Sequence, residues 1–502
     1  MERKQIQEIL KKALSFGADF AELFWEHKET TALSCESNRL ERIISGIDEG
    51  VGIRVMSGAH VSYAYLNETS LPRLLEAAET AGKGAARGQG NINMKQQAFC
   101  PPPASLRLEL KKAPAEIKIE DKAKIVLAAN QAARKVDQRI RQVTVHYGDV
   151  TQKVVIANSE GTYVEDLRLR TRLSVQAIAT ERNLLQTGFQ SVGGSTGFEL
   201  FAENDPLQVA EKAAQRAVLM LTAKPAPSGK MPVVLAGKAG GTMIHEACGH
   251  GLEADLVQKG LSVYAGKKGQ EVASPLISVV DDGTLRHKFG STRYDDEGTL
   301  CRKRVLIKNG ILENFLYDLK SARLDQVQST GNGRRESYQH CPLPRMSNTY
   351  IVPGTMEPEK IIRETREGLL VTAMGGGQVN TLNGDFVFDV PEAYLIKDGK
   401  ITHPVRGATL TGNGPATLKQ VEMVGKDLHF NIGVCGKEGQ GVPVSDGQPT
   451  IAIRELIVGG TGAEEEEDEA AVGKKGGGRK QDEKQRQQQG QAPRHLPQIR
   501  RL

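Results

Sequence analysis

A chain of 502 residues with 66 Lys plus Arg against 61 Asp plus Glu carries a formal net charge of +5, too close to neutral to form a nucleic-acid footprint. Its composition, 39% hydrophobic and 25% charged, belongs to a chain that folds, with room for about three domains at roughly 150 residues each. No apolar run approaches the roughly 20 residues that span a bilayer, which excludes a helical membrane protein. Six cysteines without a CxxC pair form no disulfide framework and fit a reducing compartment. The first residues, MERKQIQEILKKALSFGADF, mix charges among apolar positions and lack the continuous apolar core of a signal peptide, so a cytoplasmic location is expected.

Taken in chain order, the pattern predicts an α/β (α+β) protein of two lobes and a tail. Ile6, Ile9, Leu10 and Leu14 recur at helical spacing over 3–16, and 21–65 is rich in β-branched and aromatic residues between glycine breaks. A helix is expected over 71–86, then a long Gly, Asn, Gln and Pro-rich connector over 88–115. The plan then recurs, with a helix near 118–136, alternating strands over 140–179, and a closing helix. Asp205 is placed to cap that helix and Pro206 to occupy its first position, where no amide partner is lost. The helical pattern stops at Lys224-Pro225-Ala226-Pro227, so the first domain is set at 1–224. Residues 225–462 read as a glycine-rich, β-dominated second domain that opens on the apolar strand Val233-Val234-Leu235-Ala236. From 463 to 502, acidic, basic and Gln-rich blocks carry too little apolar surface to offset ordering entropy, and disorder is expected.

The chemistry concentrates in His245-Glu246-Ala247-Cys248-Gly249-His250-Gly251-Leu252-Glu253. Two imidazoles beside a Glu have the composition of a hydrolytic zinc site, where His nitrogens hold the ion and Glu takes the proton of the attacking water. The spacing, however, is HExxxH. On a regular α-helix residues i and i+4 lie about 40° apart, whereas i and i+5 lie about 140° apart, too far round to share an ion. The string therefore requires a π-bulge, a helix that ends before His250, or no metal at all. Gly249 and Gly251 make a departure from α geometry inexpensive. Spacing leaves the third ligand open among Glu253, Asp255, His287, His340, Cys248 and Cys435.

At this point a resemblance enters. The stretch from His245 to Glu253 resembles the metal-binding helix of the TldD/PmbA metalloprotease family, on its TldD side. In the same order along the chain follow Val279-Val280-Asp281-Asp282-Gly283-Thr284, Thr330-Gly331-Asn332-Gly333-Arg334-Arg335-Glu336-Ser337-Tyr338, Gly375-Gly376-Gly377-Gln378-Val379, Arg406-Gly407-Ala408-Thr409-Leu410 and Val434-Cys435-Gly436-Lys437-Glu438-Gly439-Gln440. The resemblance implies a zinc-dependent metallopeptidase acting on unfolded or small peptides. It implies His245, His250 and Cys435 as metal ligands, Zn2+ as the ion, and Glu246 as general base. It also implies a TldE/PmbA-like partner subunit lacking HExxxH, with a homodimer as the alternative. A rival reading is a non-catalytic adaptor that keeps the metal as a structural element, and a third is a cysteine hydrolase using Cys435. The paired arginines and amides of Thr330–Arg335 suit a phosphate or carboxylate clamp; with the resemblance, the loop is expected either to hold a substrate carboxylate or backbone near the cleft, or to be a turn with solvated arginines. Gly375-Gly376-Gly377 either lets a peptide backbone lie close or forms a tight turn.

Overall fold

The computed structural model describes residues 1–86 and 112–460. The expected tail, 463–502, and most of the expected connector lie outside the described residues. The amphipathic start folds as α1 (Arg3–Leu14) and buries Ile6, Ile9, Leu10 and Leu14. The β-branched run becomes three antiparallel strands, β1 (Phe20–Glu36), β2 (Arg39–Ser57) and β3 (His60–Leu66), followed by α2 (Leu71–Ala85). The second pass supplies α3 (Ile119–Lys135), β4 (Ile140–Asn158), β5 (Tyr163–Glu181), β6 (Leu184–Gly194) and α4 (Pro206–Leu221). At the start of α4 the Asp205 carboxylate accepts the Leu207 amide at 2.9 Å with Pro206 in the first helical position, the cap that the sequence predicts.

The two passes merge, because β1 pairs antiparallel with β4 and makes one six-stranded sheet in the order β3-β2-β1-β4-β5-β6. Its alternation gives each face a different task. Along β1, Leu23 packs with the α1 and α2 side, whereas its neighbour Phe24 lies on the other face, in contact with Tyr294 and Tyr338 of the second lobe. That second face is also charged. Arg54, 1% exposed, bridges Glu22 and Glu297 at 2.6 Å each. Arg335 from the second lobe also pairs with Glu22, and Arg168 on β5 pairs with Asp166 and Asp296. Removing one member of such a buried pair strands the other, a loss of about 3–5 kcal/mol, so these residues fix how the lobes meet.

The second lobe is built from two large sheets. A ten-stranded sheet carries β7 (Gly229–Leu235) in its interior. A six-stranded sheet contains β8 (Asn348–Ile351). Strand β9 (Gly377–Val379) is an edge of the ten-stranded sheet. Strands β10 (His429–Lys437) and β11 (Gln440–Gln448) form a hairpin at the edge of the six-stranded sheet, and β11 runs parallel to β8. Strand β12 (Ile451–Gly459) returns beside β7. Met243, Ile244, Ala247, Cys248 and Leu252 of the HExxxH segment join the core that both sheets share, so the motif is held from two sides. The β10–β11 turn uses Glu438 and Gly439, both at positive φ (49° and 75°), the two-residue turn whose twist matches a tight hairpin. Among the described residues, no helix is long and apolar enough to cross a membrane.

Candidate metal centre

Glycines bring the motif to its partner strand. Gly240 adopts φ +81°, and the Gly241 amide donates to the Asp446 carbonyl of β11 at 3.2 Å; a side chain at either position would strike Asn431 or Asp446. From there the chain makes a short helical turn over Thr242–Ile244 and then widens. Residues His245–Gly249 form one π-turn, in which the His250 amide donates to the His245 carbonyl, before a tight turn over His250–Leu252. The five-residue span of that hydrogen bond resolves the spacing problem: it sets His250 one turn above His245, on the same face. The widened turn is packed closely. A Cβ on Gly249 would meet the Met346 thioether, one on Gly251 would lie 2.7 Å from the Tyr264 ring, and the Tyr264 hydroxyl donates to the Ala247 carbonyl at 2.9 Å.

The two imidazole rings stand 4.9 Å apart and nearly perpendicular, and the Cys435 thiol of β10 lies 3.5 Å from His250 Nε2. One ligand atom from each of His245, His250 and Cys435 falls within 4.8 Å of the other two, close enough to share one ion, and this is the cluster of that kind among the described residues. The opposite ring nitrogens are already engaged. His245 Nδ1 hydrogen-bonds Asp446 Oδ1 at 2.7 Å, and His250 Nδ1 hydrogen-bonds Glu253 Oε2 at 3.1 Å. A carboxylate behind each imidazole orients the ring and leaves the other ring nitrogen free, an arrangement typical of metal-binding histidines. Lys437 steadies this outer layer, donating to Glu253 at 3.0 Å, to Asp255 at 2.7 Å and to the Pro344 carbonyl at 3.1 Å. Arg345 holds the backbone carbonyl of Cys435 itself.

The electrostatics suit a ligand set. Burial alone would raise the Cys435 thiol, but its hydrogen bonds to His245 and His250 and their charges bring it down to about 5, so the thiolate is favoured. Burial opposes charge on His250, yet Glu253 and Cys435 outweigh it and lift the imidazole to about 10. Burial likewise works against a charged Glu253, and His250 and Lys437 outweigh it and hold the carboxyl at about 2. Glu246 is raised, chiefly by burial, with His245 and His250 pulling the other way. Its carboxylate has no protein hydrogen-bond partner among the described residues and lines a cleft of about 1020 Å³ together with His245, His250 and Cys435.

The remaining ligand candidates stand elsewhere. Glu253 and Asp255 face Lys437 behind the centre, and Cys248 points into the core, where burial pushes its thiol up. His340 bonds Ser337 at 3.0 Å, and His287 is exposed. Gly375, Gly376 and Gly377 do line the cleft: a Cβ on Gly377 would strike the Phe388 ring of its own sheet, whereas one on Gly376 meets open space. The expectation for Arg334 and Arg335 requires correction on one point. Neither is solvated, each being 4% exposed, and neither lines the cleft: Arg335 pairs with Glu22 of the first lobe, and Arg334 donates to the Met346 and Pro443 carbonyls. Sequence reasoning missed Asp446, Lys437 and Arg345 as supports of the centre. Asp446 lies 201 residues from His245 and carries no local signal, since only the pairing of β11 with its neighbours brings it there.

Residues 228–460 match the family model described as the PmbA/TldA metallopeptidase C-terminal domain, 112–221 the central domain and 21–85 domain 1. A metalloprotease TldD homologue of Haemophilus influenzae is 40% identical over 451 residues, covering 88% of this chain and 93% of its own. A zinc metalloprotease TldD homologue of Saccharolobus solfataricus is 28% identical over 454 residues, covering 90% and 99%. The crystal structure of TldE from Thermococcus kodakarensis shares the fold, with a TM-score of 0.73 at 20% identity, covering 90% of this chain and 99% of that one. Three consecutive family domains, aligned along nearly the whole described length and ending on a His, His and Cys cluster, place this chain in the PmbA/TldD metallopeptidase family.

Proposed function

We propose that this chain is a zinc-dependent peptidase that cleaves unfolded or small peptides in the 1020 Å³ cleft, with His245, His250 and Cys435 as ligands and Glu246 as general base. The observation that carries the reading is the convergence of two carboxylate-backed imidazoles and a thiolate at a cleft wall, beside a carboxylate with no other partner. The donors fit zinc: two nitrogens and one soft sulfur, with a fourth position left open to the cleft as in catalytic rather than structural sites. Bound there, the ion would supply Lewis-acid polarisation of a peptide carbonyl and acidify a water.

The rest is done by the chain's own groups. With Asp446 and Glu253 accepting from Nδ1 of His245 and His250, the Nε2 lone pairs would be left to hold the ion. Glu246 accepts the proton of the attacking water on its carboxylate and returns it to the leaving amine. Its raised affinity for a proton, chiefly from burial, suits a group that takes up and returns one. The edge strand β9 and the open space at Gly376 offer backbone groups along which an extended substrate can lie. A TldE-like companion chain, or a second copy, is the partner this reading carries, and the cytoplasm the compartment.

The test is metal analysis coupled to cleavage of an unfolded peptide, with and without chelator. Zinc near one per chain and chelator-sensitive cleavage are expected. Stoichiometric zinc without cleavage, even with a TldE-like chain present, would favour the adaptor. The low thiol pKa and the 3.5 Å contact with His250 keep a cysteine hydrolase as the second reading. In that case iodoacetamide would abolish activity and zinc would give no protection, whereas a ligand Cys435 is shielded by the ion.

A further inference from the structure

Behind the β10–β11 hairpin, on the side away from the large cleft, lies a second cavity of about 320 Å³ between the N-terminal sheet and the second lobe. Strand β5 supplies one wall. Its sequence Arg168-Leu169-Arg170-Thr171-Arg172-Leu173 turns Leu169, Thr171 and Leu173 into the sheet's buried helix side and sets three arginines in a row on the opposite face. Arg334, from the second lobe, closes the row.

The charges in this cavity do not balance. Arg168 is neutralised by Asp166 and Asp296. Among the described residues no carboxylate comes within ion-pair distance of the other three. Arg170 donates only to the Phe289 carbonyl, at 3.3 Å, and Arg334 only to the carbonyls of Met346 and Pro443, the latter at 2.7 Å. Arg172 is exposed. The carboxylates that line the same cavity are already engaged. Asp149 takes Lys122 and the Tyr147 hydroxyl at 2.6 Å each, Asp295 takes the amides of Glu297, Thr299 and Gly333, and Glu336 takes the Gly441 amide at 2.6 Å. The imbalance is visible on Arg170 itself. Desolvation, reinforced by Arg334 and Arg168, pulls its guanidinium down to about 9 against the opposing pull of Asp296 and Asp166. A half-buried cation with no carboxylate paired directly to it is costly to keep, and guanidinium forks match two-oxygen anions.

We propose that this cavity is an oxyanion site in which Arg170, Arg172 and Arg334 hold a carboxylate or phosphate group. The inference stands apart from the peptidase reading, since it uses none of its residues. The two are nevertheless neighbours. Val434 lines both cavities one residue before Cys435, and Arg334 already grips Pro443 on the same hairpin, so an occupant would brace the strand that carries the thiol. The anion can be free phosphate or the carboxylate terminus of a peptide, and the experiment separates them.

The test is isothermal titration of the zinc-loaded full chain and of its Arg170→Gln/Arg172→Gln variant, at constant ionic strength kept with chloride. The probes are inorganic phosphate and a short neutral peptide with a free or an amidated C-terminus. Anion taken up at the metal centre is common to both proteins and cancels in the comparison. Saturable binding by phosphate, by the free-acid peptide or by both is expected, weakened at least about tenfold in the double variant. Phosphate alone points to a free anion, and the free acid without the amide points to a peptide terminus. Without added anion the double variant should melt no lower than wild type, because neither arginine has a carboxylate within ion-pair distance to lose. Arg172→Gln alone, at an exposed position where the fold is indifferent, should also weaken binding. Absence of saturable binding above chloride, or equal binding by wild type and double variant, overturns the proposal.

Discussion

Replacing Glu253 by Gln tests whether the carboxylate behind His250 positions a ligand or merely fills space. In the wild type, Oε2 of this fully buried side chain meets His250 Nδ1 at 3.1 Å and Lys437 Nζ at 3.0 Å. Glutamine keeps one oxygen for these donors but removes the charge, and it puts an NH2 where Oε1 has no hydrogen-bond partner. Two losses follow, and they are read separately. Outer partners of metal-binding histidines are worth about 10–100-fold in affinity, or about 1.4–2.7 kcal/mol, so the zinc dissociation constant should rise by that factor. Breaking a buried ion pair costs about 3–5 kcal/mol, and the lower end applies because Asp255 still holds Lys437 at 2.7 Å. Competition with a chromophoric chelator measures the first, and thermal unfolding of the chelator-treated chain the second. Zinc affinity within about twofold of wild type would refute the positioning role, whatever happens to stability.

Three further outcomes follow from the same centre. Glu246→Gln should keep its zinc content and lose turnover by at least about 100-fold, and a variant that cleaves peptide at the wild-type rate removes Glu246 from the mechanism. Cys435→Ala should emerge from purification depleted of zinc, and full occupancy would return the third ligand to Glu253 or another group. The chelator-treated protein should melt higher at about pH 5.5 than at about pH 8. Burial raises Asp281 to about 6 and Asp295 to about 7, so the stability their protonated forms contribute is lost as pH rises through those values. The raised His245 and His250 add stability below their unfolded value that is likewise lost on raising pH, while the lowered Cys435 thiol acts in the opposite sense. Zinc should invert the contribution of the centre, because its ligands bind metal only when deprotonated. A chelator-treated chain that gains stability toward pH 8 contradicts these assignments.

Local pattern carried much of the architecture. Helical spacing in 3–14, β-branched alternation in 140–158 and the Asp205-Pro206 cap each express a preference that a short segment satisfies by itself, and each appears where the pattern places it. What no segment encodes alone is how the two passes combine. The β1–β4 pairing that fuses them joins residues more than a hundred positions apart, and nothing in either strand names the other.

The centre divides along the same line. The sequence by itself determined which donors are available, two imidazoles and a Glu within six residues flanked by glycines, because ligand chemistry is a property of residue type. It also showed that an ordinary α-helix could not bring both histidines to one ion. Only the tertiary structure decided how that conflict ends. Packing of Gly249 on Met346 and Gly251 on Tyr264 holds a π-turn, while the β10–β11 hairpin delivers Cys435 beside the imidazoles and Asp446 to the back of His245. It also removed Arg334 and Arg335 from solvent and from the cleft, burying both and pairing Arg335 with Glu22 of the first lobe. The physical reason is common to all three: a donor's identity is local, but its distance, burial and counter-charge are set by strands that are remote in the chain and adjacent only in the fold.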